Sequence, residues 1–231
     1  AYLCGGPNTC HETRDRKEAL EKLRSGMFVD ARDSSITKNV QEVYEGVKGV
    51  RFFDHLCLCT DDREADDILH VGHMNDVVRS AIRCGMDPVT AIKSATLNTA
   101  REIHLENLGA IAPGYVADLL LVDDLTELKP SHVFFGGKLV ARDGKLTVEI
   151  PHREYPLEKV NTMCVKELSR EDFVIHTPVE NGTVTVHVME YPDLNLSSTL
   201  LTTAQLPVKN GEVCLEGEDL KFVAVVNRHK G

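Results

Sequence analysis

The first hundred residues alternate between two hydrophobic periods. In "TRDRKEALEKLRSG" (13–26) Ala19, Leu20 and Leu23 recur at helical spacing. Asp15 with Glu18 three positions on forms a capping-box pattern, and Gly26 supplies a stop. "MFVDAR" (27–32) is short and strand-like. "SSITKNVQEVYEGV" (34–47) places Ile36, Val40, Val43 and Val47 on one face, which predicts a second helix capped by Ser34 or Ser35. The apolar run "VRFFDHLCLC" (50–59) predicts a strand. Two helices follow, over "HMNDVVRSAIRCG" (73–85) and "DPVTAIKSATLNTAREI" (87–103), the latter with Asp87 as cap and Pro88 in its first turn. Strands alternating with helices in this way predict the βα units of a parallel sheet.

Beyond residue 105 the pattern changes. "VADLLLVD" (116–123) reads as a strand, and "HVFF" and "KLVAR" form a hairpin turning at Gly136-Gly137. The polar stretch 151–162 reads as a linker. From about residue 172 strand patterns dominate: "FVIHTP", "TVTVHVMEY", "STLLTTAQLPV" and "LKFVAVV", separated by the turns "ENG", "PDLN" and "KNGE". The fold class expected is α/β followed by β, in three segments: 1–105, 106–150 and 151–231.

Composition narrows the function. The net charge of −10 argues against nucleic acid or an anionic membrane as partner, since either contact needs a basic face. No apolar run approaches membrane-spanning length. The seven cysteines are scattered and include no C-x-x-C, which argues against a structural zinc site or a disulfide framework and fits a reducing cytoplasm. The chain opens without Met and stops just after a strand-like run, from which a piece of a longer protein is expected.

Candidate chemistry gathers where strands give way to loops, the edge on which parallel α/β folds carry their reactive groups. Asp61 and Asp62 follow "LCLC" directly. A carboxylate there binds a divalent metal or acts as a general base, or else an Asp caps the next helix. His11-Glu12 precedes the first helix, and His11 offers either a ligand imidazole or an ordinary surface histidine. Arg32, Asp33, Ser34 and Ser35 bring a guanidinium fork and two hydroxyls that suit a polar heterocycle or a carboxylate. His, then Arg/Ser, then Asp at three successive strand ends would share one rim. His70 and His73 read as a surface pair with no acidic partner. GxGxxG, P-loop, GxSxG and HExxH motifs are absent from the sequence, as is the zinc-deaminase signature.

These residues carry a resemblance. "GAIAPGYVADLLLVDD" (109–124) is similar to the segment that leaves the barrel for the small β domain in the amidohydrolase superfamily. The block 59–100, beginning "CTDDREADD", resembles the bacterial adenine deaminase family, in which TDDR ends the eighth barrel strand. Residues 10–35 resemble that family's sixth and seventh strands, with "RDSS" where the family has REGS, and the final "VNRHKG" resembles a motif of its extra C-terminal domain.

The resemblance implies the C-terminal part of a (β/α)8 barrel, about three βα units, then strands of a small composite β domain and part of a mostly-β C-terminal domain. It implies a binuclear divalent transition-metal centre, manganese or iron, and hydrolytic removal of the 6-amino group of adenine in purine salvage. His11 and Asp61 match metal ligands, and Asp61 also matches the proton shuttle. Asp62, Arg63, Arg32 and Ser35 match the purine-facing set.

The family's HxH pair, bridging acid and strand-five His have no counterpart in this chain, so the chain alone is expected to be inactive, its metal site incomplete. The open strand edge predicts association, as a homo-oligomer or with the remainder of the same polypeptide. Two other readings stay open: a dihydroorotase-like hydrolase of a cyclic amide or imide, and a non-catalytic scaffold derived from the enzyme.

Overall fold

The computed structural model describes residues 2–192, 199–215, 217 and 219–230. The chain divides into two compact units, one running to Glu149 and the other made of Ile150–Pro192 and the residues from 199 onward. Among the described residues no helix is long and apolar enough to cross a membrane.

The first unit is built on three parallel strands in the order β1 (Thr9–Cys10), β2 (Phe28–Arg32), β3 (Leu56–Cys59). Their register sets Cys10 against Val29, Val29 against Leu56 and Arg32 against Cys59. Side chains alternate across a strand, so the sheet has two unlike faces. Val29, Ala31, Leu56 and Leu58 enter the core. There they meet Ala19 of α1 (Arg16–Arg24), Val40, Val43 and Val47 of α2 (Val40–Val47), Val77, Val78 and Ala81 of α4 (Met74–Arg83) and Ala91 of α5 (Pro88–Ala95). A buried valine or leucine stabilises by about 1.5–3 kcal/mol relative to exposure, so this layer dominates the unit. The opposite face carries Asp30, Arg32, Cys57 and Cys59.

The helix ends follow local chemistry. Asp15 accepts from the Glu18 amide at 2.8 Å, while Glu18 reaches back to the Arg14 amide at 2.9 Å rather than to that of Asp15. Gly26 stops the turn at φ 83°. Asp87 accepts from the Thr90 amide at 3.0 Å, with Pro88 in the first turn. At Gly46 of α2 an added Cβ would run into the Arg16 carbonyl oxygen, so the absent side chain is what lets α1 and α2 approach.

Four expectations for residues 1–105 change. The second helix begins at Val40, not Ser34: the Ser34 hydroxyl is taken by its own turn, accepting from the Thr37 amide at 2.8 Å, and an isolated bridge joins Asp33 to Lys38. The strand expected over 50–59 is confined to Leu56–Cys59. The helix expected over 87–103 breaks at Thr96 (φ −129°, ψ −84°) into α5 and α6 (Leu97–Glu102), and the Thr96 hydroxyl bonds back to the Ile92 carbonyl. His70 and His73 fall on different elements, the end of α3 (Ala65–His70) and the residue before α4. His70 does have an acidic partner, Asp66 at 3.5 Å one helical turn back. Both histidines are exposed.

The first unit also holds an antiparallel sheet of β4 (Leu119–Val122), β5 (Pro130–Phe135), β6 (Lys138–Arg142) and β7 (Lys145–Leu146). The expected hairpin at Gly136-Gly137 joins β5 to β6 with Phe135 opposite Lys138, and both glycines hold positive φ. The strand expected over 116–123 is shorter at both ends.

In the second unit the expected linker carries one short helix, α7 (Leu157–Val160). β8 (Asn181–Glu190) pairs along its whole length with β9 (Leu200–Lys209), which turns through Asn210 and Gly211, both at positive φ, into β10 (Glu212–Val213). Leu206, Val208 and Val213 form its core. "FVIHTP" is not a strand: it follows a 3-10 turn over Arg170–Phe173 and contributes a single bridge, His176 to Glu212. "LKFVAVV" joins no ladder among the described residues, and Val223 and Val225 are exposed. Part of the "PDLN" turn and the first residue of "STLLTTAQLPV" lie outside the described residues.

Candidate functional site

The carboxyl ends of β1, β2 and β3 lie side by side because the strands are parallel and adjacent, and each releases a polar residue at the same edge. His11 follows β1, Arg32 is the last residue of β2, and Asp61 lies two residues past β3. His11 Nε2 stands 4.0 Å from Asp61 Oδ2 and 3.6 Å from Glu12 Oε1. The Arg32 guanidinium donates through Nη1 to Asp61 Oδ2 and through Nη2 to Glu12 Oε2 at 3.2 Å. Arg32 is buried, while the imidazole and the Glu12 carboxylate reach solvent.

Asp61 is held in an unusual backbone state. Its φ is 53°, the left-handed region that a residue with a Cβ rarely adopts. Its Oδ1 accepts from the next amide, Asp62, at 2.7 Å. Burial pushes the Asp61 carboxyl up, but the Arg32 hydrogen bond and charge, with the Asp62 amide, outweigh it and hold the group below the ordinary carboxylate value. Asp61 is therefore ionised at neutral pH.

Ser35 braces the neighbouring loop. Its amide donates to the Asp62 carbonyl at 3.0 Å, its hydroxyl accepts from the Glu64 amide at 2.8 Å, and the same hydroxyl donates to Asp67. Asp62 is exposed, and among the described residues its carboxylate has no bonded partner. Arg63 goes elsewhere than its neighbours. Its side chain is 3% exposed and donates to Asp76 Oδ2 of α4 at 2.6 Å and to the Asp33 carbonyl at 3.0 Å. The structure thus brings His11, Arg32 and Asp61 together, leaves Asp62 open at the rim, and sets Ser35 and Arg63 as loop supports.

Asn39 and Asp76 belong to this site, and sequence reasoning passed over both. The Asn39 side chain accepts from the Arg32 amide at 2.7 Å and donates to the Thr13 carbonyl at 2.8 Å, tying the chain after β1 to the end of β2. A buried polar residue just before an apolar helical face was the available signal.

A second polar group lies on the same sheet face. Asp30, Cys57 and Glu102 bring three potential ligand atoms within 4.8 Å of one another. The Thr9 hydroxyl bonds both Asp30, at 2.6 Å, and Glu102. Burial drives the Asp30 carboxyl up to about 6 against the Thr9 hydrogen bond, with Glu102 adding to the rise. The Cys57 thiol is raised by burial and by the two carboxylates, and that of Cys59 is pushed up to about 12. With both shifts upward the thiols are weak nucleophiles at neutral pH.

At the rim, His11 and Asp61 offer donor types that suit a divalent transition ion, and Asp61 Oδ2 is the oxygen that Arg32 Nη1 also bonds. A neutral imidazole nitrogen and an ionised carboxylate oxygen are the ligand types such ions accept. Their separation of 4.0 Å is within the span of two ligand bonds of about 2.0–2.2 Å.

Residues 8–140 match the Amidohydrolase family. The adenine deaminase of Kosmotoga olearia is 40% identical over 181 residues, covering 78% of this chain and 31% of that protein. The adenine deaminase of Mesorhizobium japonicum is 38% identical over 237 residues, covering 100% of this chain and 38% of that protein. A solved β-aspartyl dipeptidase of Fervidobacterium islandicum aligns with TM-score 0.48 and 23% identity over 62% of this chain and 39% of its own.

The family match spans more than half of the chain, and the chain belongs to the amidohydrolase family of hydrolases. The curated relatives it resembles are adenine deaminases, and it spans about a third of their length.

Proposed function

We propose that this chain carries one rim of an adenine deaminase, a hydrolase that converts adenine and water to hypoxanthine and ammonia in purine salvage. On this reading β1, β2 and β3 with their helices are three units of a (β/α)8 barrel, and the remaining strands belong to the domains that follow it. The observation that carries the proposal is the convergence of His11 Nε2 and Asp61 Oδ2 at the carboxyl edge of one parallel sheet, supported by the resemblance to curated adenine deaminases over most or all of the chain.

His11 and Asp61 would hold a divalent ion, manganese or iron, which when bound supplies a water of lowered pKa. The chain's own groups do the rest. Asp61, ionised at neutral pH, takes the proton of the attacking water as its oxygen bonds to C6 of the purine. It then gives a proton to the departing amine, so that ammonia leaves as the C6–N bond breaks. Asp62 accepts from the purine's ring N–H with its unengaged carboxylate. Arg32 keeps Asp61 aimed, and Ser35 fixes the loop beside it. Arg32 and Arg63 are each already bonded to carboxylates, so the rim has little positive charge to spare for an acidic substrate. That favours a neutral purine.

The test is Asp61→Asn in the protein expressed from its complete gene. Adenine turnover should fall at least about 1,000-fold, with unchanged circular dichroism and melting curve. A folded variant that keeps more than a tenth of wild-type turnover would refute the assignment.

A further inference from the structure

Arg63 stands in the same short motif as Asp61 and Asp62, yet its guanidinium is almost fully buried and spent on α4 and on the end of β2. Its partner Asp76 is a buried carboxylate with two further cations about it, Arg79 at 3.3 Å and Arg83 at 3.8 Å. Arg79 also donates to the Val71 carbonyl at 2.9 Å and to that of Glu127 at 3.2 Å. Asp76 is therefore the node that joins the loop after β3 to α4.

The placement matters because of the state of Asp61. A non-glycine residue at φ 53° is strained and persists only where its surroundings over-determine it. Two restraints are local: the Asp62 amide on Asp61 Oδ1, and the Ser35 amide on the Asp62 carbonyl. The third lies two residues downstream, where Arg63 is locked between Asp76 and the Asp33 carbonyl. Without it the segment 61–63 keeps its bonds to Ser35, through the Asp62 carbonyl and the Glu64 amide, but loses its tie to α4 and relaxes toward ordinary backbone angles. The Asp61 carboxylate then swings away from Arg32 and His11.

We propose that Asp76, acting through Arg63, is a positioning residue that holds the strained turn at Asp61 and so aims its carboxylate into the site. Asp76 touches no reacting atom. The proposal rests on the reading of Asp61 as the proton-transfer group, and it moves Arg63 from substrate recognition to support.

The experiment is Asp76→Asn, with Asp76→Glu as rescue, in the protein expressed from its complete gene. Two readouts are taken: amide hydrogen exchange, and kcat and KM for adenine. The Asp62 and Ser35 amides should exchange at least tenfold faster, with the Val29 and Leu58 amides of the sheet unchanged. The kcat should fall at least tenfold with KM within twofold, and Asp76→Glu should recover most of both effects. Unchanged exchange at Asp62 and Ser35 would overturn the proposal, as would a raised KM at constant kcat, which would put Arg63 on the substrate. Should the wild type fail to deaminate adenine, the functional reading fails by itself and the exchange pattern still decides the positioning role. Arg63→Gln, which leaves Asp76 with Arg79 and Arg83, carries the same measurements if Asp76→Asn does not fold.

Discussion

Arg32 and Asp61 close the rim from neighbouring strands: a guanidinium at the last position of β2 bonds a carboxylate two residues past the end of β3. The pair offsets the burial that would otherwise raise Asp61. Arg32→Gln should therefore move the Asp61 titration upward. Carboxyl ¹³C NMR reads the midpoint directly. A midpoint that stays low would assign the effect to the Asp62 amide and His11 rather than to Arg32.

Asp30 titrates in the opposite sense. Its carboxyl is raised to about 6 in the folded protein, against about 3.9 in the unfolded chain. Between those values the folded state binds more protons. The stability that Asp30 contributes is complete below about pH 4 and is lost as pH rises through about 6. Urea midpoints measured from pH 4 to 7 should fall more steeply for the wild type than for Asp30→Asn. Parallel curves would remove Asp30 as the source.

Asn39→Ala strips two partners at once, the Arg32 amide and the Thr13 carbonyl. Leaving buried backbone groups unpaired costs about 1–3 kcal/mol. Equilibrium urea unfolding should show a loss in that range, with faster amide exchange at Arg32. A loss under about 0.5 kcal/mol would mean that water takes over both bonds.

Gly46→Ala separates local propensity from packing. Within a helix the change favours Ala by up to about 1 kcal/mol. Here the new Cβ meets the Arg16 backbone, and forcing α1 and α2 apart costs about 1–3 kcal/mol. The variant should melt below the wild type. A higher melting temperature would show that the helix pair yields easily.

What the sequence revealed was what is local. The alternation of Val29 and Ala31 with Asp30 and Arg32, and the caps at Asp15 and Asp87, each act within a few residues, so the βα units and the strand ends could be read directly. Ser34 misled because a serine before an apolar helical face caps or turns with equal ease, and here its hydroxyl closes a turn on Thr37. The run 220–226 has strand composition, but a strand needs a neighbouring edge, which composition does not supply. Arg63 reads as part of an exposed motif, and only Asp76, thirteen positions on and brought near by α4, draws it inside. The His11–Arg32–Asp61 convergence was legible as three strand ends, whereas Asn39 and Asp76, which brace it, were not.

The two unlike faces of the parallel sheet also guard its alignment. Side chains alternate with period two, so sliding β2 by one residue against its neighbours would swing Asp30 and Arg32 into the helix-packed layer and turn Val29 and Ala31 out. Burying two unpaired charges is far costlier than any misaligned ladder could repay. The polar residues of β2, Arg32 at the rim among them, thereby act as proofreaders of folding, rejecting a shifted strand.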